Sequence, residues 1–325
     1  MAFYMLSTGF LLALVYPLNE ALIRWRADFT PIGDASNEPS DDEEAAPLTG
    51  AVEVAPRLRA KSWFGMLKRV NEMEGLDGHY RGFMPTLASF LFWQQISLPA
   101  ILIIGYLHIG DYTTSDLLVF AVAGTFRAIG SAIESVFVDR AITTREELPS
   151  FSFKRAFDAL LTAKERRQPY MLLFIPGLLL SHFVWTLWII GTCAARHFLV
   201  LWLLPTKEEP KNFKEILVFV PLILGTVIAS VVLNTLFLTP LEVTMVRLAI
   251  QGKSMEAVPQ TAMLLEDAID TENTSTQSDE VIQLRKGDKP YIGLIDCIRR
   301  IKQEEGWGVL YRGWGWTAFR GLLFL

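Results

Sequence analysis

The chain has 325 residues, 51% of them hydrophobic, with a mean hydropathy of +0.31 and a formal net charge of −5. That is too apolar for an ordinary soluble domain, and the basic stripe with interleaved aromatics that would suit nucleic acid is absent. The two cysteines, Cys193 and Cys297, have neither a CxxC nor a Cys/His spacing, so a metal site or disulfide framework is not indicated, and nothing resembles a catalytic triad or a phosphate loop.

In chain order, apolar stretches long enough to cross a bilayer, which needs ~20 helical residues, lie at 3–24, 84–107, 117–139, 170–204 and 215–239, and a sixth starts near Gly313. The apolar start at Ala2 reads as a first membrane helix rather than a transit peptide. Acidic residues gather in two tracts, 34–53 and 266–280, which read as solvated loop inserts. The connection after the first span is rich in Arg and Lys, whereas 108–116 has neither, which puts the long loops on the positive side. The spans together predict an all-α membrane protein.

An internal repeat organises these elements. Residues 74–82 (EGLDGHYRG) and 305–313 (EGWGVLYRG) both fit EG-x4-YRG and both precede an apolar span. Amphipathic stretches lie upstream, at 62–73 and 291–304, and further upstream stand the proline motifs PLNEALIR (17–24) and PLEVTMVR (240–247). A middle copy is worn: 151–166 reads as its surface helix, Glu165 aligns with Glu74 and Pro176 with Pro85, and Met171, Leu172 and Leu173 replace the YRG triplet. Its odd-numbered span lacks a proline.

This arrangement resembles the mitochondrial carrier family, whose three repeats carry P-x-[DE]-x-x-[KR] and then [DE]G-x4-aromatic-[KR]-G. The resemblance implies three pseudo-symmetric repeats, each of two transmembrane helices and a matrix-side surface helix, around a central cavity. The repeats would be 1–110 with an insert at 34–56, 111–205, and 206–325 with an insert at 254–288. Pro17 and Pro240 would kink the odd helices.

The resemblance also implies a ring of ion pairs closing the matrix side. With Phe137 taken as the missing proline position, the acid positions are Asn19, Asp139 and Glu242, and the base positions are Leu22, Ile142 and Met245. No base survives, and Arg24 and Arg247 lie ~200° further round their helices. Glu242 is therefore protonated, solvated, or paired with a group that these spacings do not identify. Substrate-contact positions implied by the family are Ser89, Leu180 and Arg320. Arg127, seven residues from Glu134 on one helical face, is a further candidate, with pairing between the two as the plainer reading. His79 and His182 read as packing or interface residues. Tyr80-Arg81-Gly82, Gly293 and Tyr311-Arg312-Gly313 sit where helices begin, and bare N–H groups there suit phosphate; the resemblance implies cardiolipin as bound lipid and no other cofactor.

The function expected is that of a transport-inactive carrier fold in the mitochondrial inner membrane, an accessory subunit of a membrane assembly such as a respiratory complex and not an enzyme. The alternatives are a working metabolite carrier and an outer-membrane carrier-like adaptor. The stretch from Gly313 to Leu325 reads as a short sixth helix, with a partner chain contacting Leu322 and Leu325.

Overall fold

The computed structural model describes residues 2–32, 60, 62–93, 114–144, 158–203, 213–268, 281–285 and 290–323. The described residues are helical with connecting turns, and no strand occurs among them. Helix α1 spans Ala2–Ala27, α2 Trp63–Met73 and α3 Gly75–His79. Residues 83–93 form α4. Helix α5 spans Thr114–Thr143, α6 Ala163–Arg167, α7 Leu178–Leu203, α8 Phe213–Ala268, α9 Leu294–Glu304 and α10 Trp314–Leu323. Within α7 and α8, Leu178–Arg196 and Pro221–Gly252 are long and apolar enough to cross a membrane.

The two amphipathic stretches form the helices that their periodicity predicts. Helix α2 buries Met66 and Val70, one turn apart, and α9 buries Leu294, Cys297 and Ile301 at helical spacing. Ser62 caps α2 through its hydroxyl, which accepts from the Gly65 amide. At the start of α9, Asp296 accepts the Ile292 amide at 3.0 Å; that hydrogen bond, more than the neighbouring Arg300, holds its carboxyl below the usual carboxylate range. Both helices stop where a glycine in the left-handed region, Gly75 (φ +64°) or Gly306 (φ +92°), follows the motif glutamate. The chain reverses there, and Glu74 and Glu305 turn back against the bundle.

Pro17 and Pro240 lie inside α1 and α8. A proline lacks the N–H that would reach the carbonyl four residues back. Those freed carbonyls belong to Ala13 and Leu236, and each accepts a tyrosine hydroxyl: Tyr80 on Ala13 at 3.4 Å and Tyr311 on Leu236 at 3.5 Å. The proline and the motif tyrosine thus form one unit. The middle segment lacks both.

Three expectations need correction. Residues 151–166 do not form one surface helix over their described part: the chain leaves the helix at Leu161–Thr162, and Thr162 then starts α6 with a capping box to Glu165. The span expected at 170–204 begins at Leu178, because Pro169–Phe174 is a 3-10 turn. The acidic insert expected at 254–288 is helical through Ala268, since α8 continues unbroken past Pro240; at 56 residues it extends ~84 Å, well beyond a ~30 Å hydrocarbon core. The insert at 34–56 lies outside the described residues.

Three glycines with φ near +80°, Gly82, Gly177 and Gly313, open α4, α7 and α10. Each packs where a Cβ would collide: Gly82 against Tyr16 and Ile142, Gly177 against the backbone of Gly293 and Leu294, Gly313 against Leu22. Gly177 therefore does in the middle segment what the motif glycine does in the others, and Leu173 does not. Gly177→Ala should lower the thermal midpoint, since the left-handed conformation alone costs ~1–2 kcal/mol for a residue with a Cβ, before the clash with α9 is counted. Gly225→Ala, with nothing within 4 Å of its added Cβ, should leave the midpoint unchanged or slightly raised in the same thermal-unfolding experiment.

Candidate functional site

The polar interior is built on three arginine–glutamate pairs whose arginines are buried. Arg24 of α1 donates to Glu74 at 2.8 Å, Arg140 of α5 makes a two-pronged contact with Glu165 at 2.6 and 2.9 Å, and Arg247 of α8 donates to Glu305 at 2.9 Å. The three arginine side chains are at most 2% exposed. Each also donates to backbone carbonyls: Arg24 to Gly78, Arg140 to Leu160 and Ala249, Arg247 to Arg26 and Asp28. Arg24 and Arg247 thus occupy another face from the ring positions, as their spacing implied, and that face binds the EG glutamates.

These pairs set the register of the middle segment. Arg24 and Arg247 stand seven residues past Pro17 and Pro240, so Arg140 puts the missing proline at Ile133 rather than Phe137. The acid position is then Ser135, not Asp139, and the base position is Val138, not Ile142. With Gly177 as the motif glycine, the contact position becomes Val184, whereas Leu180 is exposed.

In this register the three base positions, Leu22, Val138 and Met245, are all apolar and all buried. Asn19 and Ser135 are half-buried, and Glu242 is the one acid among the three acid positions. Glu242 has the partners that its spacing could not name. Its Oε2 accepts from Arg26 at 2.7 Å and from the Thr317 hydroxyl at 2.8 Å, and its Oε1 is bound by Arg320. Asp139 is the electrostatic counterpart of Arg26. Arg26 and Arg320 are too far from Glu242 in sequence for a local spacing rule to pair them.

The remaining candidates divide. Arg127 lies over the Trp93 ring at 4.7 Å, and the Trp93 indole N–H donates to Glu134 at 2.9 Å, so the two charges share one tryptophan. Ser89 is half-buried on α4 and takes no part in the Glu242 cluster. His182 bridges α7 to α5, its ring nitrogens 3.0 and 3.1 Å from Ser131 and Ser135. His79 is buried against Glu20, and Glu20 contacts Arg24; burial, and then Arg24, keep the His79 imidazole more acidic than usual. Leu322 is exposed, and Leu325 lies outside the described residues.

The arginines of the YRG motifs are engaged within the protein. Arg81 contacts Glu74 and the Thr144 carbonyl, both at 3.2 Å. Arg312 donates to the carbonyls of Trp25 and Asp28 and to the Thr30 hydroxyl. Tyr80 stacks on Tyr16. The starts of α7 and α9 meet where Gly177 packs on Gly293, so a phosphate-sized anion would find two helix N-termini side by side there.

The family model of the mitochondrial carrier proteins matches residues 218–324, the last third of the chain, which holds Pro240, Glu242, Glu305 and the Tyr311-Arg312-Gly313 triplet. That segment is similar to the mitochondrial carrier proteins. Members of that family are transporters of the membrane, all-α and multi-pass, and typically mitochondrial. No curated protein and no solved structure matches the chain. In this chain Arg320 of α10, seven residues past Gly313, is bound to Glu242 of α8, two residues past Pro240.

Burial alone would raise the Glu165 carboxyl, but the Arg140 hydrogen bonds and charge outweigh it and hold the group below the usual glutamate range. A depressed folded-state value means that this pair's contribution is present above the ordinary glutamate value. It is lost as pH falls through the lower folded value. Glu165→Gln should cost about 3–5 kcal/mol by stranding Arg140. In thermal unfolding followed down the acid range, the variant's deficit should shrink as wild-type Glu165 protonates; a deficit independent of pH would contradict the pairing.

Proposed function

We propose that the chain is a three-repeat, six-helix carrier fold of the mitochondrial inner membrane that does not transport, and that it serves as an accessory subunit of a membrane assembly. The observation that carries this reading is the replacement of the ion-pair ring. Alternating access requires a set of matrix-side contacts that form and break. At Leu22, Val138 and Met245 this protein has buried apolar side chains instead. Opening there would expose these side chains at ~25 cal/mol per Å² of apolar surface without the ion exchange that a salt-bridge ring permits.

A second feature supports the same reading. Arg247, Glu305 and Arg312 bind the last turn of α1 at Arg26 and the chain just beyond it at Asp28 and Thr30, and the Phe29 amide donates to the Gln283 carbonyl at 2.8 Å. The end of the first helix is thereby stitched to the last segment, where a transporting carrier would have to part its repeats. The interior charges also meet opposite charges: Arg26 with Asp139 and Glu242, Arg320 with Glu242, Arg127 with Glu134. An incoming solute finds no free cation or anion among these six groups. Cardiolipin, the lipid the family resemblance implies, fits best where the starts of α7 and α9 meet, at Gly177 and Gly293.

Protein purified and reconstituted into cardiolipin-containing liposomes should exchange nucleotides, phosphate, keto acids and amino acids no faster than empty vesicles. After mild-detergent native separation it should migrate with a large assembly. Saturable exchange of any of these solutes by a monomer would overturn the accessory reading.

A further inference from the structure

The Glu242 carboxylate is held in the way a protein holds a carboxylate ligand. Two guanidinium groups and a hydroxyl converge on it: Arg26 and Thr317 on one oxygen, Arg320 on the other. Thr317 accepts from Arg26 at 3.1 Å while donating to Glu242, so the receiving groups are ordered among themselves. Arg26 and Thr317 are buried, and Glu242 is 6% exposed. The receiving groups come from α1 and α10, the carboxylate from α8. Arg320 is the most exposed member, at 36%, and lies over the Trp185 ring at 5.9 Å.

Comparison of the three segments singles out these residues. Nine residues past the proline position, where Arg26 stands, the other segments have Ile142 and Ala249, both buried. Six past it, where Asp139 stands, they have Ile23 and Val246, both buried. Seven past the motif glycine, where Arg320 stands, they have Ser89 and Val184. Three charges that break the internal pattern thus gather, from α1, α5 and α10, around the one acid left at the gate positions. At the Arg26 and Asp139 positions packing alone would be served by the apolar residues used elsewhere, and a buried ionic cluster is rarely more stable than its apolar equivalent.

We propose that Arg26, Thr317 and Arg320 form a receptor for a small carboxylate, and that Glu242 is its built-in occupant. Glu242 fills the site, neutralises Arg320 and links α8 to α1 and α10 in one contact. The proposal rests on the closed reading above for its consequence, a site shut to solutes, but not for its chemistry. Removal of the Glu242 side chain opens a carboxylate-shaped space between two arginines, which acetate or formate can enter. A phosphate has the charge but is larger than the space vacated.

The test is chemical rescue of Glu242→Ala, read as the thermal midpoint of protein purified in non-ionic detergent without added lipid. The variant should melt below wild type. Acetate or formate should raise its midpoint saturably, chloride at matched ionic strength should not, and wild type should be indifferent to all three. In the double variant Glu242→Ala with Arg320→Gln, the acetate half-point should shift upward by about tenfold or more, the loss expected for a charge-assisted hydrogen bond. If Glu242→Ala cannot be recovered folded in chloride, purification in acetate should recover it, and Glu242→Ser, which keeps an acceptor for Arg26, provides the same readings. Failure of both variants to fold in acetate or formate overturns the proposal. So does rescue by chloride, an equal response from wild type, or stabilisation by phosphatidic acid alone, which would make the site one for a lipid headgroup. Transport by the wild-type protein would sink the accessory reading and leave acetate rescue standing.

Discussion

Each segment of the molecule turns on a buried arginine of a long helix that meets a glutamate of the next surface segment. Taking both charges out of water costs several kcal/mol per ion. The pair is tolerable only because each guanidinium also finds carbonyls and each glutamate is held in place, by a left-handed glycine at Glu74 and Glu305 and by the Thr162 capping box at Glu165. Breaking one partner would strand the other. The three pairs therefore fix the register of helix against surface segment, and with it the height at which every other interior side chain stands.

From that register follows the character of the interior. The positions that would supply bases to an ion-pair ring hold Leu22, Val138 and Met245, and these belong to the packed core. Four interior charges, Arg26, Asp139, Glu242 and Arg320, form one cluster. A ring of three exchangeable pairs distributes closure evenly among segments. A single cluster does not, and the seam between the end of α1 and the last segment is correspondingly rich in hydrogen bonds.

Much of this was legible in the sequence because it is local. The EG-x4-YRG copies announced their turns, the spacing of apolar residues announced α2 and α9, and the angular offset of Arg24 and Arg247 announced a different face. The middle register was not legible, because its proline and tyrosine are gone together and twelve residues, not eight, separate Glu165 from its left-handed glycine. Alignment on Glu165 and Pro176 put the glycine role on Leu173. The loss of both residues has one cause: without a proline at Ile133, the carbonyl one turn earlier keeps its helical partner and needs no tyrosine. The partners of Glu242 were invisible for another reason, since Arg26 and Arg320 come from helices 216 and 78 residues away. The continuation of α8 to Ala268 ran against composition, which read those polar and acidic residues as loop.

The proposed closure depends on Leu22, Val138 and Met245 being buried apolar side chains. It is tested most directly by single cysteines at Leu22, Val138 and Met245, introduced on a background lacking Cys193 and Cys297 and challenged with a membrane-impermeant thiol reagent from each face of reconstituted vesicles. All three should resist labelling from both sides until the protein is unfolded, whereas a cysteine at exposed Phe64 should react. Labelling of the three sites from the matrix-equivalent face in the folded protein, at a rate comparable to Phe64→Cys, would contradict the account.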